Sequence, residues 1–429
     1  MDEVEIEIPS YFVCPISMQL MKDPVTVATG ITYDRESIEK WVFSCRNTTC
    51  PVTKQQLVTT DLTPNHTLRR LIQAWCTLNA SHGVERIPTP KPAVDKAQIL
   101  KLIDEARRRP ESQLKCLRRI RSVAFSGEYN KKEIQSTPGA VDFLVTVIKR
   151  KEVATGEDSE FTKASDEALT ILHHLGPSDS DLKRFIGDEG QFLDSLIHAL
   201  KHGNYQSRAA AIMVMKSAVD VADPAQLIAA TPEIFAETVQ ILKDNVSQQA
   251  TKAALKLLME LCPWGRNRIK AAGAGAVQTL VDLLLDTTER RLCELALTVL
   301  DQLCDCAEGR AELLDHGAGL AIVSKKILRV SHAASDRAVR VLSSISKFSA
   351  TSRVLQEMLQ VGVVAKLCLV LQVDASSKTK ERAKQTLRLH SRVWRDNSSC
   401  IPRALLSSYP SSSRLPKTLI NCVLLFCFM

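Results

Sequence analysis

Hydrophobic positions along the chain follow two regimes that meet near residue 80. Before that point the apolar residues are sparse and locally placed. A short extended run leads into the loop Cys14-Pro15-Ile16-Ser17, and a turn precedes Asp34, which the pattern makes a helix N-cap. Ile38, Trp41, Val42 and Cys45 then recur at i, i+3, i+4, i+7, one apolar stripe on a helix. A second loop, Cys50-Pro51-Val52-Thr53-Lys54, opens with Cys-Pro like the first. Thr63 as cap and Pro64 at the first helical position predict another helix, with Leu68, Leu71, Ile72 and Trp75 on one face.

Beyond Pro88-Thr89-Pro90-Lys91-Pro92, whose alternating prolines favour an extended linker, the runs become helix-length and rich in Leu, Ala, Val and Ile. Strand alternation with two-residue turns is missing, so the region predicts all-α structure. An apolar helix after a Gly- or Pro-containing turn recurs at Val141, Phe192, Ile234, Val277, Leu320 and Val363, with steps of 51, 42, 43, 43 and 43 residues. A step near forty-two is the armadillo/HEAT period, and repeats that cannot bury their faces alone stack into a solenoid with a concave groove. The longer first step predicts an inserted loop between about Lys149 and Thr162, and the last helical segment is expected at Ser391–Trp394.

Composition adds little to the fold and more to the compartment. A 429-residue chain with 45% hydrophobic but only 5% aromatic residues suits helix packing across more than one core. Thirteen cysteines scattered through apolar patterns predict reduced, buried thiols in a soluble cytoplasmic protein. The acidic start lacks the pattern of a signal peptide, and no apolar run reaches the eighteen or so residues of a membrane span. The formal charge of +8 is unevenly spread: residues 1–80 balance at −2, residues 372–429 at +7, and the 291 between at only +3. With no basic stripe carrying stacking aromatics on the folded body, nucleic acid is not an expected partner.

The first eighty residues carry a specific resemblance. Cys14-Pro15-Ile16, Met21-Lys22-Asp23-Pro24-Val25, Gly30-Ile31-Thr32-Tyr33-Asp34-Arg35, Ile38-Glu39-Lys40-Trp41, Cys50-Pro51-Val52-Thr53 and Pro64-Asn65-His66-Thr67-Leu68 together resemble a U-box, the zinc-free relative of the RING domain. Continued through Trp75-Cys76 and Gly83–Pro88, the chain is similar to plant U-box/armadillo ubiquitin ligases. The expected architecture is an α+β U-box at 8–80, a proline-rich linker at 81–94, an all-α armadillo solenoid at 95–396, and a largely disordered tail at 397–429.

Structural zinc would need paired thiolate or imidazole ligands, and Cys14, Cys45, Cys50, Cys76 and His66 offer no such spacing. The two loops are therefore expected to be held by a polar network, with Cys14 packed in the domain and Asp23, Thr26, Tyr33, Asp34, Arg35 and Asn65 as its members. No Gly-x-Ser-x-Gly, Walker or His-Glu-x-x-His motif is present, so no nucleophile is assigned, and neither metal nor cofactor is implied. Taken alone, Ile16, Trp41, Pro51 and Val52 fit either an exposed groove or a small core. The resemblance implies that they dock a ubiquitin-conjugating enzyme, and that Lys54 stands where relatives place a basic residue touching that enzyme and ubiquitin. It implies further that the solenoid brings a protein substrate, with homo-oligomerisation as a further family property. The rival expectation is a non-catalytic armadillo adaptor that uses the U-box only for assembly. Thr63 and Thr89, each followed by proline, are candidate phosphorylation sites.

Overall fold

The computed structural model describes residues 8–396 apart from 46, 58, 60, 81–83, 86–95, 150–159 and 188–189. Most of the expected linker, the insertion after Lys149, Thr89 and the tail from 397 lie outside the described residues. The chain divides into two compact units, Met1–Pro177 and Ser178–Met429.

The first unit opens with a three-stranded antiparallel sheet. Strands β1 (Pro24–Thr26) and β2 (Thr32–Asp34) form a hairpin, with Val25 opposite Tyr33, and β3 (Thr63–Pro64) adds to the other edge of β1. The hairpin turns at Gly30, whose φ of 79° lies in the left-handed region that a side chain strains to reach. Helix α1 (Arg35–Glu39) runs directly into a π-helical turn at Lys40–Ser44, and α2 (His66–Leu78) follows β3. Val25, Tyr33, Ile38, Ile72 and Cys76 are fully buried at the centre, together with Cys14 and Cys50 from the two loops.

Two caps differ from the sequence expectation. Thr63 and Pro64 pair with Thr26 and Val25 in the sheet, so the cap of α2 falls to Asn65, whose Oδ1 accepts from Leu68 N–H at 3.0 Å. Asp34 does stand at the N-cap position of α1. Its carboxylate, however, turns back to accept the amides of Lys22 and Asp23 at 2.8 and 2.9 Å.

The rest of this unit is helical: α3 (Lys96–Arg108), α4 (Pro110–Ala124), α5 (Glu128–Ser136), α6 (Ala140–Lys149) and α7 (Glu160–Leu175). Helix α4 packs between α3 and α7, and Phe125 at its end stacks on His174 of α7 at 3.8 Å.

The second unit is a run of helix triplets. They are α8 (Asp179–Gly187), α9 (Gln191–His202) and α10 (Tyr205–Asp220); α11 (Pro224–Ile228), α12 (Pro232–Asp244) and α13 (Gln248–Leu261); α14 (Asn267–Gly273), α15 (Ala276–Asp286) and α16 (Arg290–Leu303). Then come α17 (Ala307–Asp315), α18 (Gly319–Lys326) and α19 (His332–Phe348), and α20 (Ser352–Gln360), α21 (Val363–Gln372) and α22 (Ser377–Leu389), closed by α23 (Ser391–Asp396). The runs that set the sequence period are the second helices of the triplets. Each third helix packs on the next, α10 on α13, then α16, α19 and α22.

The period is also written in the side chains that join neighbouring triplets. Asn267 Nδ2 donates to Leu227 O at 2.8 Å, Gln302 Nε2 to Met259 O at 3.1 Å, and Thr379 Oγ1 to Asp336 Oδ1 at 2.6 Å, each reaching back about one repeat. Between the third helices, the buried carboxylate of Asp301 is matched by Arg337 at 2.9 Å and Arg340 at 2.6 Å.

Candidate functional site

The two Cys-Pro loops of the first domain are built to one plan, thirty-six residues apart. A bridge between Val13 and Leu20 closes the first, and one between Thr49 and Gln56 closes the second. In the first, Cys14 N–H donates to Gln19 O at 2.8 Å and Met18 N–H to Cys14 O at 2.9 Å. In the second, Cys50 N–H donates to Gln55 O at 2.8 Å and Lys54 N–H to Cys50 O at 3.0 Å. Met18 and Lys54 occupy the same corner in left-handed backbone, φ 55° and 61°, a conformation that costs an ordinary residue about 1–2 kcal/mol. By the same register, Ile16 corresponds to Val52 and Pro15 to Pro51.

Consecutive residues of β2 hold both loops. Asp34 N–H donates to Cys14 Sγ at 3.3 Å, while the phenol of fully buried Tyr33 reaches Cys50 Sγ at 3.0 Å and accepts Val52 N–H at 3.3 Å. Thr29 adds a second hydroxyl on Cys50 at 3.3 Å. Burial pushes the Cys50 thiol up, but the hydroxyls of Thr29, Thr53 and Tyr33 outweigh it and draw the group down to about 6. The Cys14 thiol is lowered in the same way, by Ser17 and Asp34 against its burial. Burial and the neighbouring Cys50 sulfur push the Tyr33 phenol up.

An ion cluster braces the other side of the hairpin. Arg35 Nε meets Asp23 at 2.6 Å, and Arg69 of α2 approaches the same carboxylate at 3.7 Å. Asn65 joins β2 and α2 to this frame, accepting from Leu68 and reaching Thr32 Oγ1 at 3.5 Å, while Thr32 and Thr26 share a bond of 2.9 Å. Thr29, Thr53 and Arg69 complete a network whose other members the sequence names. For the two threonines the signal was the matched pair of Cys-Pro loops, since each loop needs its own set of donors.

Trp41 lies on the π-helical turn, half-buried against the core, with its indole N–H donating to Thr49 O at 2.8 Å at the start of the second loop. That bond joins Trp41 to the loop carrying Pro51, which is half-buried, and Val52, which is 51% exposed. Ile16 is half-buried at the matching corner of the first loop, packed against the same core. Lys54 is exposed. What results is a set of partly exposed apolar side chains on hydrogen-bonded loops, the character of a docking surface. Among the described residues, no group of three or more His, Cys, Asp and Glu side chains is placed to hold a metal ion. Thr63 is exposed on the short edge strand.

The chain is similar to known proteins along nearly all of its length. Residues 8–81 match the model of the U-box domain, and residues 97–411 match the model of the plant U-box protein ARM repeat region. The chain is 53% identical over 415 residues to E3 ubiquitin-protein ligase PUB23 of Arabidopsis thaliana, covering 96% of this chain and 98% of that protein. It is 50% identical over 434 residues to E3 ubiquitin-protein ligase PUB22 of the same plant, covering 95% and 99%. Among solved structures, the designed armadillo repeat protein YIII(Dq)4CqI aligns at TM-score 0.42 and 17% identity, covering 57% of this chain and 98% of that one.

Proposed function

The chain belongs to the plant U-box proteins with an armadillo-repeat region and is a RING-type E3 ubiquitin ligase, and we propose that Ile16, Trp41, Pro51 and Val52 dock its ubiquitin-conjugating enzyme. The observation that carries this is the bond from Trp41 to Thr49 O, which fixes the indole beside the exposed Val52 loop. The ligase supplies no nucleophile. It holds a thioester-charged conjugating enzyme so that a substrate lysine attacks the thioester carbonyl, the amine losing its proton and the enzyme's cysteine leaving as thiolate. Restricting the charged ubiquitin to a reactive pose contributes several kcal/mol through proximity and orientation.

Lys54 contacts the conjugating enzyme and ubiquitin in this reading. Its left-handed backbone sets the direction in which the ammonium leaves the loop, although an ammonium lacks the bidentate fork of a guanidinium. The exposed edges of the third helices recruit the protein substrate, because they recur at every repeat and their inner sides are taken up by stacking. The many buried, unpaired thiols suit a reducing compartment, and a cytoplasmic location is proposed on that ground.

Reconstituted self-ubiquitination tests the docking surface. With activating enzyme, conjugating enzyme, ubiquitin and magnesium-ATP, the wild type is expected to build high-mass conjugates equally well with a zinc-selective chelator in excess magnesium. Folded Trp41→Ala is expected to build none. Undiminished conjugation by that variant would remove Trp41 from the surface, and loss of conjugation on chelation would make the loops metal-dependent.

A further inference from the structure

Glu39 is the buried charge that the docking surface leaves unused. It ends α1, two residues before Trp41, with a side chain only 4% exposed. One carboxylate oxygen points at the first turn of α5, ninety residues away, where it accepts Tyr129 N–H at 3.4 Å. A Cβ on Gly127, just before that helix, would stand 3.2 Å from the same oxygen, so the glycine leaves room for the carboxylate. The other oxygen has no hydrogen-bond partner and lies 3.8 Å from Arg35 Nη1. One turn further along the U-box, Lys132 of α5 places its ammonium 3.8 Å from the ring centre of Phe43. Helix α5 thus packs on both α1 and the π-helical turn.

A buried carboxylate with one oxygen unsatisfied is a costly way to fill space, and an apolar side chain would pack more favourably. A carboxylate can do what an apolar group cannot: engage the orphan amides at a helix start. Glu39 and Phe43 face α5 while Trp41, between them, faces the second loop, so one short segment meets both surfaces.

We infer that Glu39 is a positioning residue, clamping the U-box onto α5 so that a conjugating enzyme docked at Trp41 is held at a fixed bearing to the armadillo region of the first unit. This rests on the docking reading given above. The clamp does not touch the reacting atoms. It selects which lysines the charged ubiquitin can reach.

Two readouts on the full chain separate these roles. Ubiquitin discharge from the conjugating enzyme to free lysine needs docking but no bearing, whereas the map of self-modified lysines depends on the bearing. Glu39→Ala and, on the other side of the contact, Lys132→Ala are expected to change free-lysine discharge by less than about two-fold, the scale of a surface substitution. Both are expected to spread self-modification over lysines that the wild type leaves unmodified, and to speed hydrogen exchange at the amides of α5. Glu39→Gln, which keeps an acceptor for Tyr129, should restore the wild-type map. An unchanged lysine map with discharge intact would overturn the clamp. Loss of discharge in folded Lys132→Ala would likewise overturn it, and no discharge in the wild type would remove the docking reading itself.

Discussion

Tyr33 uses one oxygen for two contacts, donating to Cys50 Sγ and accepting from Val52 N–H, and has nowhere else to send either bond. Tyr33→Phe is therefore expected to destabilise the first domain by about 1–3 kcal/mol, the usual penalty for stranding buried polar partners. Because Val52 belongs to the loop proposed to dock the conjugating enzyme, the same variant should bind that enzyme more weakly, as titration calorimetry would read. Cys50 gives a pH signature. Its thiol falls from 9.0 to about 6 on folding, so the stabilisation is complete above the unfolded value and is lost as the pH drops through about 6. The midpoint of thermal unfolding of the first domain should decline from pH 9 to pH 6, and Cys50→Ala should flatten that slope. A slope unchanged by the substitution would show that the hydroxyls around Cys50 do not act on a thiolate.

Caps and cross-links decide where the elements begin and how they join. Asn65 both caps α2 and reaches Thr32, so Asn65→Ala is expected to lower stability by about 1–2 kcal/mol in chemical denaturation. In the second unit, Asp301→Ala would take the shared buried acceptor from Arg337 and Arg340, which lie three residues apart on α19 and are each about a third exposed. A loss of about 1–2 kcal/mol is expected there, read as a lower unfolding midpoint of the full chain. The paired loops and the 43-residue step were legible because both are local patterns repeated at a distance, Cys14-Pro15 with Cys50-Pro51 and Val277 with Leu320. The start of α2 was misplaced by two residues for a physical reason. Thr63-Pro64 looks like a cap followed by a first helical residue, but β1 offers its edge to the same dipeptide and tertiary pairing wins. Glu39 was beyond reach altogether. Within its own helix it resembles any solvated glutamate, and what buries it lies ninety residues downstream.

At the scale of the molecule, Glu39 is also where acidity enters. Burial raises its carboxyl, while the amides of Tyr129 and Glu128 and the charge of Arg35 draw it back in part. With the folded value above the ordinary one, the contact contributes fully below the usual glutamate range of about 4.3 and weakens as pH rises through the folded value. The other charges at the contact are Arg35, Glu128 with its partner Lys131 at 3.9 Å, and Lys132 over Phe43. Amide protection in α5, corrected for intrinsic exchange, should accordingly rise as the pH is lowered from neutrality, and Glu39→Gln should abolish that rise.

The triplets of the second unit have a bearing on descent as well as on stability. Several carry their own start signals, such as the left-handed glycines Gly275 and Gly362 and the capping serines Ser247 and Ser331, and the third helices touch chiefly the ones before and after. A stretch of about 43 codons is then a unit that a genome can duplicate or delete in frame, leaving matched faces at the seam. A lineage can so lengthen, shorten or shuffle the face proposed to choose its targets while inheriting the U-box end unaltered.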